Sequence, residues 1–194
     1  MKMPIIALGR QFGSGGREIG KRLAEKLNIR CYDRELITLA AQKAELREEL
    51  FAGREEKAPN PWLFTGVYKG QPAEDILFEM QSQVILELAQ KDPCIIVGRC
   101  ADAILKSAGI PVISLFICAP FGDRIRRRME IEGLGPKEAE DTIRKIDKQR
   151  KKYYDTYTGR NWGVPENYDF CINSSVMGIE ETAEHIITWT RGNW

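Results

Sequence analysis

The chain has 194 residues, 43% hydrophobic and 29% charged, with a formal net charge of +1. That balance excludes a disordered, collagen-like or coiled-coil chain and a broadly basic nucleic-acid binder, and the length suits one domain with its own core. No apolar run approaches the ~20 residues that cross a bilayer, and the N-terminal run enters Gly9-Arg10-Gln11, not a small-residue cleavage site, so a cytoplasmic protein without membrane attachment is expected.

The first element is a short apolar run over 4–8, followed at once by a glycine-rich turn and a helical pattern over 18–27. Ile19, Leu23 and Leu27 form one stripe there, and Arg17, Lys21, Arg22 and Lys26 lie off it. A second apolar run covers 29–32. Residues 34–91 are too long for a minimal crossover. They hold a Pro/Gly-rich middle and then a helical stretch over 72–90, with Ile76, Leu77, Met80, Val84 and Leu88 on one face. Runs over 94–97, 112–118 and 168–172 complete five predicted strands. Charged helices are predicted over 122–131 and 137–154, and a closing amphipathic helix over 179–189. Strands alternating with helices indicate βαβ crossovers and an α/β fold with a parallel sheet. The five cysteines, Cys31, Cys94, Cys100, Cys118 and Cys171, are scattered, with no CxxC pair and with one histidine, His185. Reduced thiols, mostly buried, and no metal site are expected.

The turn after the first strand reads Gly9-Arg10-Gln11-Phe12-Gly13-Ser14-Gly15-Gly16-Arg17-Glu18-Ile19-Gly20. Glycines there let backbone N–H groups converge on one point at a helix N-terminus, which suits a phosphate chain. The dinucleotide pattern G-x-G-x-x-G fails at its last glycine. The mononucleotide loop G-x-x-x-x-G-K-[ST] fits in its core, but Gly16 stands at the lysine position, Arg17 at the Ser/Thr position and Arg10 at the first glycine. Arg17 is then the candidate to supply the missing charge, and its place at a helix start opposes the macrodipole.

Several further segments follow in order. They are Cys31-Tyr32-Asp33-Arg34-Glu35-Leu36-Ile37, Ile95-Ile96-Val97-Gly98-Arg99-Cys100-Ala101-Asp102, Asp123-Arg124-Ile125-Arg126-Arg127-Arg128-Met129, Asp147-Lys148-Gln149-Arg150, and Asn167-Tyr168-Asp169-Phe170-Cys171-Ile172-Asn173-Ser174-Ser175. With the variant loop, this ordered set resembles the cytidylate-kinase-like proteins, a branch of the nucleoside monophosphate kinases among the P-loop NTPases. The resemblance covers nearly the whole chain.

It implies a three-layer α/β fold with a five-stranded parallel sheet of order 2-3-1-4-5. It also implies one kinase-like domain over 1–194, with an acceptor-binding insertion about 34–91 and a mobile lid about 133–162. The implied activity is transfer of the ATP γ-phosphoryl group to CMP or a related pyrimidine monophosphate, with ATP and Mg²⁺ as cofactors. Small-molecule nucleotides are the implied partners, not nucleic acid. Gly13, Ser14, Gly15, Gly16, Arg17 and Glu18 would cradle the donor phosphates. Arg17, Arg124, Arg128 and Arg150 would serve the transferring group, and Asp33, Arg34, Arg99, Asp102, Asp147 and Arg150 the acceptor.

Each assignment has a plainer alternative. Asp33 is equally suited to cap a helix from residue 34. The cluster Arg124, Arg126, Arg127 and Arg128 also reads as a solvated helix face, and Asp147 with Arg150 as a surface ion pair. Tyr153, Tyr154, Tyr157 and Trp162 would stack on a base or form a satellite core. Trp62, Phe64 and Tyr68 would make a docking patch in a second type of protein, a nucleotide-binding sensor that has lost catalysis. A kinase of the same fold acting on another small acceptor is the third reading.

Overall fold

A computed structural model describes residues 5–33, 39 and 73–193. Arg34, most of the expected insertion, and the Trp62, Phe64 and Tyr68 patch lie outside the described residues. The elements in chain order are β1 (Ile5–Arg10), α1 (Gly16–Leu27), β2 (Arg30–Tyr32), α2 (Ala73–Lys91), β3 (Cys94–Val97), α3 (Ala101–Ser107), β4 (Val112–Cys118), α4 (Phe121–Glu132), α5 (Pro136–Thr158), β5 (Phe170–Asn173) and α6 (Ser174–Asn193). A 3₁₀ turn, Pro165–Asn167, precedes β5.

The sheet is parallel throughout and ordered β2-β3-β1-β4-β5. The central strand β1 pairs with β3 on one side, Ile6 opposite Ile95, and with β4 on the other, Ile5 opposite Val112. Both of its faces are covered, which is why its sequence is a continuous apolar run. Ile6 and Leu8 face a core shared with Ile19 and Leu23 of α1 and with Ala183, Ile186 and Ile187 of α6. Ile5 and Ala7 face the opposite core, with Met80, Val84 and Ile85 of α2 and Leu105 of α3. Helices thus lie on both faces, and α4 and α5 pack on each other as a further pair.

Two particulars differ from the periodicity. In α2, Leu77 is 38% exposed while Gln81 is fully buried, so the inward stripe is Met80, Gln81, Val84 and Ile85. The short helix α3 has no counterpart among the predicted elements. Gly178, at φ 79 and ψ 178, breaks α6, so its regular part starts at Ile179, where the sequence reading placed it. None of the five cysteines is in a disulfide; Cys94 and Cys100 are buried, Cys31 and Cys118 half-buried and Cys171 exposed. Burial pushes the Cys94 thiol up to about 11 and the Cys100 thiol up to about 12. Both stay protonated and unreactive at neutral pH.

Candidate active site

The carboxyl ends of β1 and β3 open into a cleft of about 830 Å³. Ligands in open α/β sheets bind at this edge, where strand order reverses. Its floor is the glycine loop. Gly13 and Gly15 have φ of 81° and 78°, which turns the chain from β1 into α1. The N–H groups of Gly16, Arg17 and Glu18 open α1 and have no preceding helical turn to bond. They are ready donors for phosphate oxygens.

The loop is held from several sides. Ser14 Oγ is buried and lies 2.9 Å from the Gln11 carbonyl oxygen and 3.0 Å from that of Ile117. The residue is 2% exposed and lies outside the cleft lining, so its hydroxyl does not face a metal in the cleft. Ser174 Oγ donates to the Ser14 carbonyl oxygen at 2.6 Å, which ties the end of β5 to the loop. Phe12 N–H donates to Asp147 Oδ1 at 2.7 Å, and the Phe12 carbonyl accepts from Arg124 Nη1 at 3.2 Å. Arg124 Nη1 also meets Asp147 Oδ2 at 2.5 Å. The Phe12 ring lies 4.5 Å from the Arg128 guanidinium and 5.6 Å from that of Arg150. Phe12 is therefore the hub joining the loop to α4 and α5. Its sequence signal is a lone aromatic inside a glycine loop, which periodicity does not reach.

The cleft is lined by Gly13, Gly15, Gly16, Arg17, Glu18, Asp33, Arg99, Asp102, Arg128 and Arg150 among the expected residues. Arg124, Asp147 and Ser14 lie outside its lining. Arg124 is 7% exposed and Asp147 uses both carboxylate oxygens within the protein. The pairing of Asp147 is with Arg124 of α4 and not, as expected, with Arg150 one turn away. Arg128 pairs with Glu132, and Arg127 meets Glu18 at 3.3 Å.

Arg10 and Arg127 are cleft residues that the sequence reading left out of the site. Arg10 Nη2 lies 3.3 Å from Asp33 Oδ1, and Arg17 Nε lies 2.8 Å from Asp33 Oδ2. Asp33 thus bridges two guanidinium groups. Arg150 Nη1 donates to the Arg10 carbonyl oxygen at 2.9 Å. Burial, then the neighbouring Arg99, hold the Arg150 pKa below its ordinary value against the pull of Asp147 and Asp33. Among the described residues, six arginines, Arg10, Arg17, Arg99, Arg127, Arg128 and Arg150, line the cleft with four acids, Glu18, Asp33, Asp102 and Glu132. Burial pushes the Asp102 carboxyl above the usual carboxylate range, against the pull of the Tyr154 hydroxyl. Such a site favours a polyanion.

Arg99 leaves β3 through a turn in which Arg99 and Cys100 both have left-handed φ, 59° and 56°, and the Ala101 N–H bonds back to the Gly98 carbonyl at 3.2 Å. Two non-glycine residues in this region are strained, and such strain marks functional sites. The turn delivers Arg99 to the cleft beside the Tyr153 hydroxyl. Asp102, in the first turn of α3, accepts from the Tyr154 hydroxyl at 2.7 Å. Tyr154→Phe is expected to cost ~1–3 kcal/mol in urea unfolding, because it strands a buried acceptor. An unchanged midpoint and slope would show that water replaces the bond.

The aromatic set forms a satellite core. Phe116, Tyr154, Tyr168 and Cys100 are buried, with Phe78, Tyr153, Tyr157 and Trp162 packed on them. Phe78 stacks on Tyr157 at 4.2 Å, and the Tyr157 hydroxyl donates to Asp75 at 3.0 Å. These contacts anchor the C-terminal half of α5 to α2.

Sheet order, glycine loop and cationic cleft define the α/β fold of the P-loop kinases. Solved structures agree on the fold. An uncharacterized protein from Eubacterium ventriosum is 31% identical, with a TM-score of 0.74, over 97% of this chain and 98% of that one. Shikimate kinases from Bacteroides thetaiotaomicron and Acinetobacter baumannii, the latter solved with shikimate, are each 18% identical, with TM-scores of 0.54 and 0.52. The match covers 97% of this chain and 99% of the first, and 98% of this chain and 94% of the second. Comparison with curated protein sequences finds no match. The cytidylate kinase-like family matches residues 5–176, and the chain belongs to that family. No helix among the described residues is long and apolar enough to cross a membrane.

Proposed function

We propose that the protein transfers the γ-phosphoryl group of ATP to a pyrimidine nucleoside monophosphate, CMP first. The observation that carries this reading is the convergence of Arg10, Arg17, Arg99 and Arg150 beside the glycine loop, with Asp33 bridging the first two. Phosphoryl transfer asks the protein mainly for positioning and charge neutralisation, and this cleft offers both. The loop amides and Arg17 fit the donor phosphates. Arg99, at the end of β3, fits the phosphate of the acceptor.

The residues fit ATP better than they fit a protein-held metal. No cluster of three metal-ligating side chains occurs among the described residues, and the Ser14 hydroxyl is buried outside the cleft lining. Mg²⁺, which bridges and neutralises nucleotide phosphates when bound, would be held there by those phosphates and water. We further propose a single kinase domain in which 34–91 binds the acceptor. Lid closure, needed to keep water from the donor, is proposed for the hairpin about Gly133 and the N-terminal half of α5, because the C-terminal half is anchored to α2.

One observation favours a second reading, a kinase of this fold for another small acceptor. Asp147, one of the residues that the family resemblance assigns to the acceptor, is committed to Phe12 and Arg124. A turnover panel decides, with ATP and Mg²⁺ against CMP, dCMP, UMP, AMP, GMP and shikimate, and a control without acceptor. Saturable transfer to CMP, with kcat/KM at least ~10-fold above the purine acceptors, is the expected outcome. Turnover of another acceptor supports the second reading. A folded protein that binds ATP and transfers to none of them overturns the kinase proposal and leaves a sensor.

A further inference from the structure

We propose that Arg10 takes the place of the phosphate-loop lysine, so that the two departures from G-x-x-x-x-G-K, arginine at the first glycine and glycine at the lysine, are one exchange. The inference rests on the phosphoryl-transfer reading above.

The argument is first steric. β1 continues to Arg10, so the Arg10 side chain starts at the mouth of the loop. A Cβ on Gly16 would stand 2.6 Å from Arg10 Cβ and 3.2 Å from Arg10 Cγ. The first of these contacts is one that real Cβ atoms do not make, and the atom met is the stem of the arginine and not its flexible end. A lysine at 16 and an arginine at 10 therefore exclude each other. The cation has moved from the first turn of α1 to the end of β1.

The argument is then electrostatic. From above Gly16 the Arg10 stem reaches the end of β3, where Nη1 lies 1.8 Å from the place a Cβ on Gly98 would take, and Nη2 meets Asp33 at 3.3 Å. The guanidinium lies between the glycine loop on one side and Gly98 and Arg99 on the other. Its side chain is 18% exposed. Burial first, then Arg150, hold its pKa down to about 9 against Asp33, with Arg99 and Arg17 adding to the lowering. The group remains a cation at neutral pH, crowded by three others, and a phosphate oxygen is the ligand that relieves this. Its planar fork can hold Asp33 and a phosphate oxygen together, which a lysine point charge does less well.

The test is a cycle of four variants read by thermal unfolding and by calorimetric titration with ATP. Arg10→Met keeps the stem and removes the charge. It should keep the melting temperature within ~3 °C and weaken ATP by about 30-fold. Gly16→Lys should lower the melting temperature by at least ~5 °C and weaken ATP binding. Arg10→Gly should weaken ATP as Arg10→Met does. The double variant R10G/G16K restores G-x-x-x-x-G-K, with Arg17 still at the Ser/Thr position, and should recover ATP affinity to within ~3-fold of the wild type. Losses that add in the double variant, or an Arg10→Met protein that binds ATP normally, overturn the inference while the kinase reading stands. A wild-type protein that binds no ATP overturns the kinase reading, and this inference with it.

Discussion

Arg17→Ala is expected to lower kcat/KM for phosphoryl transfer by about 100-fold, the cost of removing one charged donor from a preorganised anion site. Arg17 is the second residue of α1, and its side chain is 47% exposed. A cation there opposes the helix dipole, so it does not serve the helix. Nor does it serve packing, and the variant should unfold within about 0.5 kcal/mol of the wild type. What fixes it is Asp33, at 2.8 Å from Nε, which leaves the terminal nitrogens for another acceptor of hydrogen bonds. Arg17→Lys should recover only part of the rate, because an ammonium group cannot hold Asp33 and a phosphate oxygen in one plane. The measurement is steady-state turnover with ATP and the best acceptor of the panel. A wild-type rate in folded Arg17→Ala removes Arg17 from the reaction and leaves Arg10 and Arg150 as the cations of the loop.

The strands were legible because each is or adjoins a short apolar run, and β3 and β4, rich in Ile and Val, fall where the sequence puts them, at Cys94–Val97 and Val112–Cys118. β1 was read two residues short. Gly9 and Arg10 look like the beginning of the turn, yet they pair with Phe116 and Ile117 of β4. That short reading hid Arg10, because a residue assigned to a loop has no defined direction. The one available signal was the paired anomaly of arginine at the first glycine and glycine at the lysine. The helix α3 escaped because seven residues carry too little periodicity, and because Arg99 and Cys100 are residue types that do not announce left-handed turns. The sheet order came from the family resemblance and not from any pattern in the strands. Contacts such as Arg124 with Asp147 depend on how the α4–α5 hairpin folds back over the loop, which no local spacing encodes.

That last contact yields the largest expected change in stability. Arg124→Met should cost about 3–5 kcal/mol, the usual loss when one partner of a buried ion pair is removed and the other stays charged. The side chains of Arg124 and Asp147 are 8% and 17% exposed, and Arg124 Nε has no hydrogen-bond partner among the described residues. The pair is therefore costly to bury and is kept for what it holds: Asp147 receives the Phe12 N–H, and Arg124 bonds the Phe12 carbonyl. Removing both charges in Arg124→Met/Asp147→Leu should cost less than the sum of the single variants, with a coupling of about 2 kcal/mol or more in a urea cycle. The same residues then separate two roles for Asp147. If it clamps the loop, Asp147→Asn lowers stability and kcat/KM for every acceptor alike. If it leaves the clamp to read a base edge when substrate binds, Asp147→Asn raises KM for CMP selectively and leaves the unfolding midpoint near that of the wild type. The geometry, with both carboxylate oxygens engaged inside the protein, favours the clamp. Urea unfolding of Asp147→Asn beside its KM for two acceptors measures the difference directly.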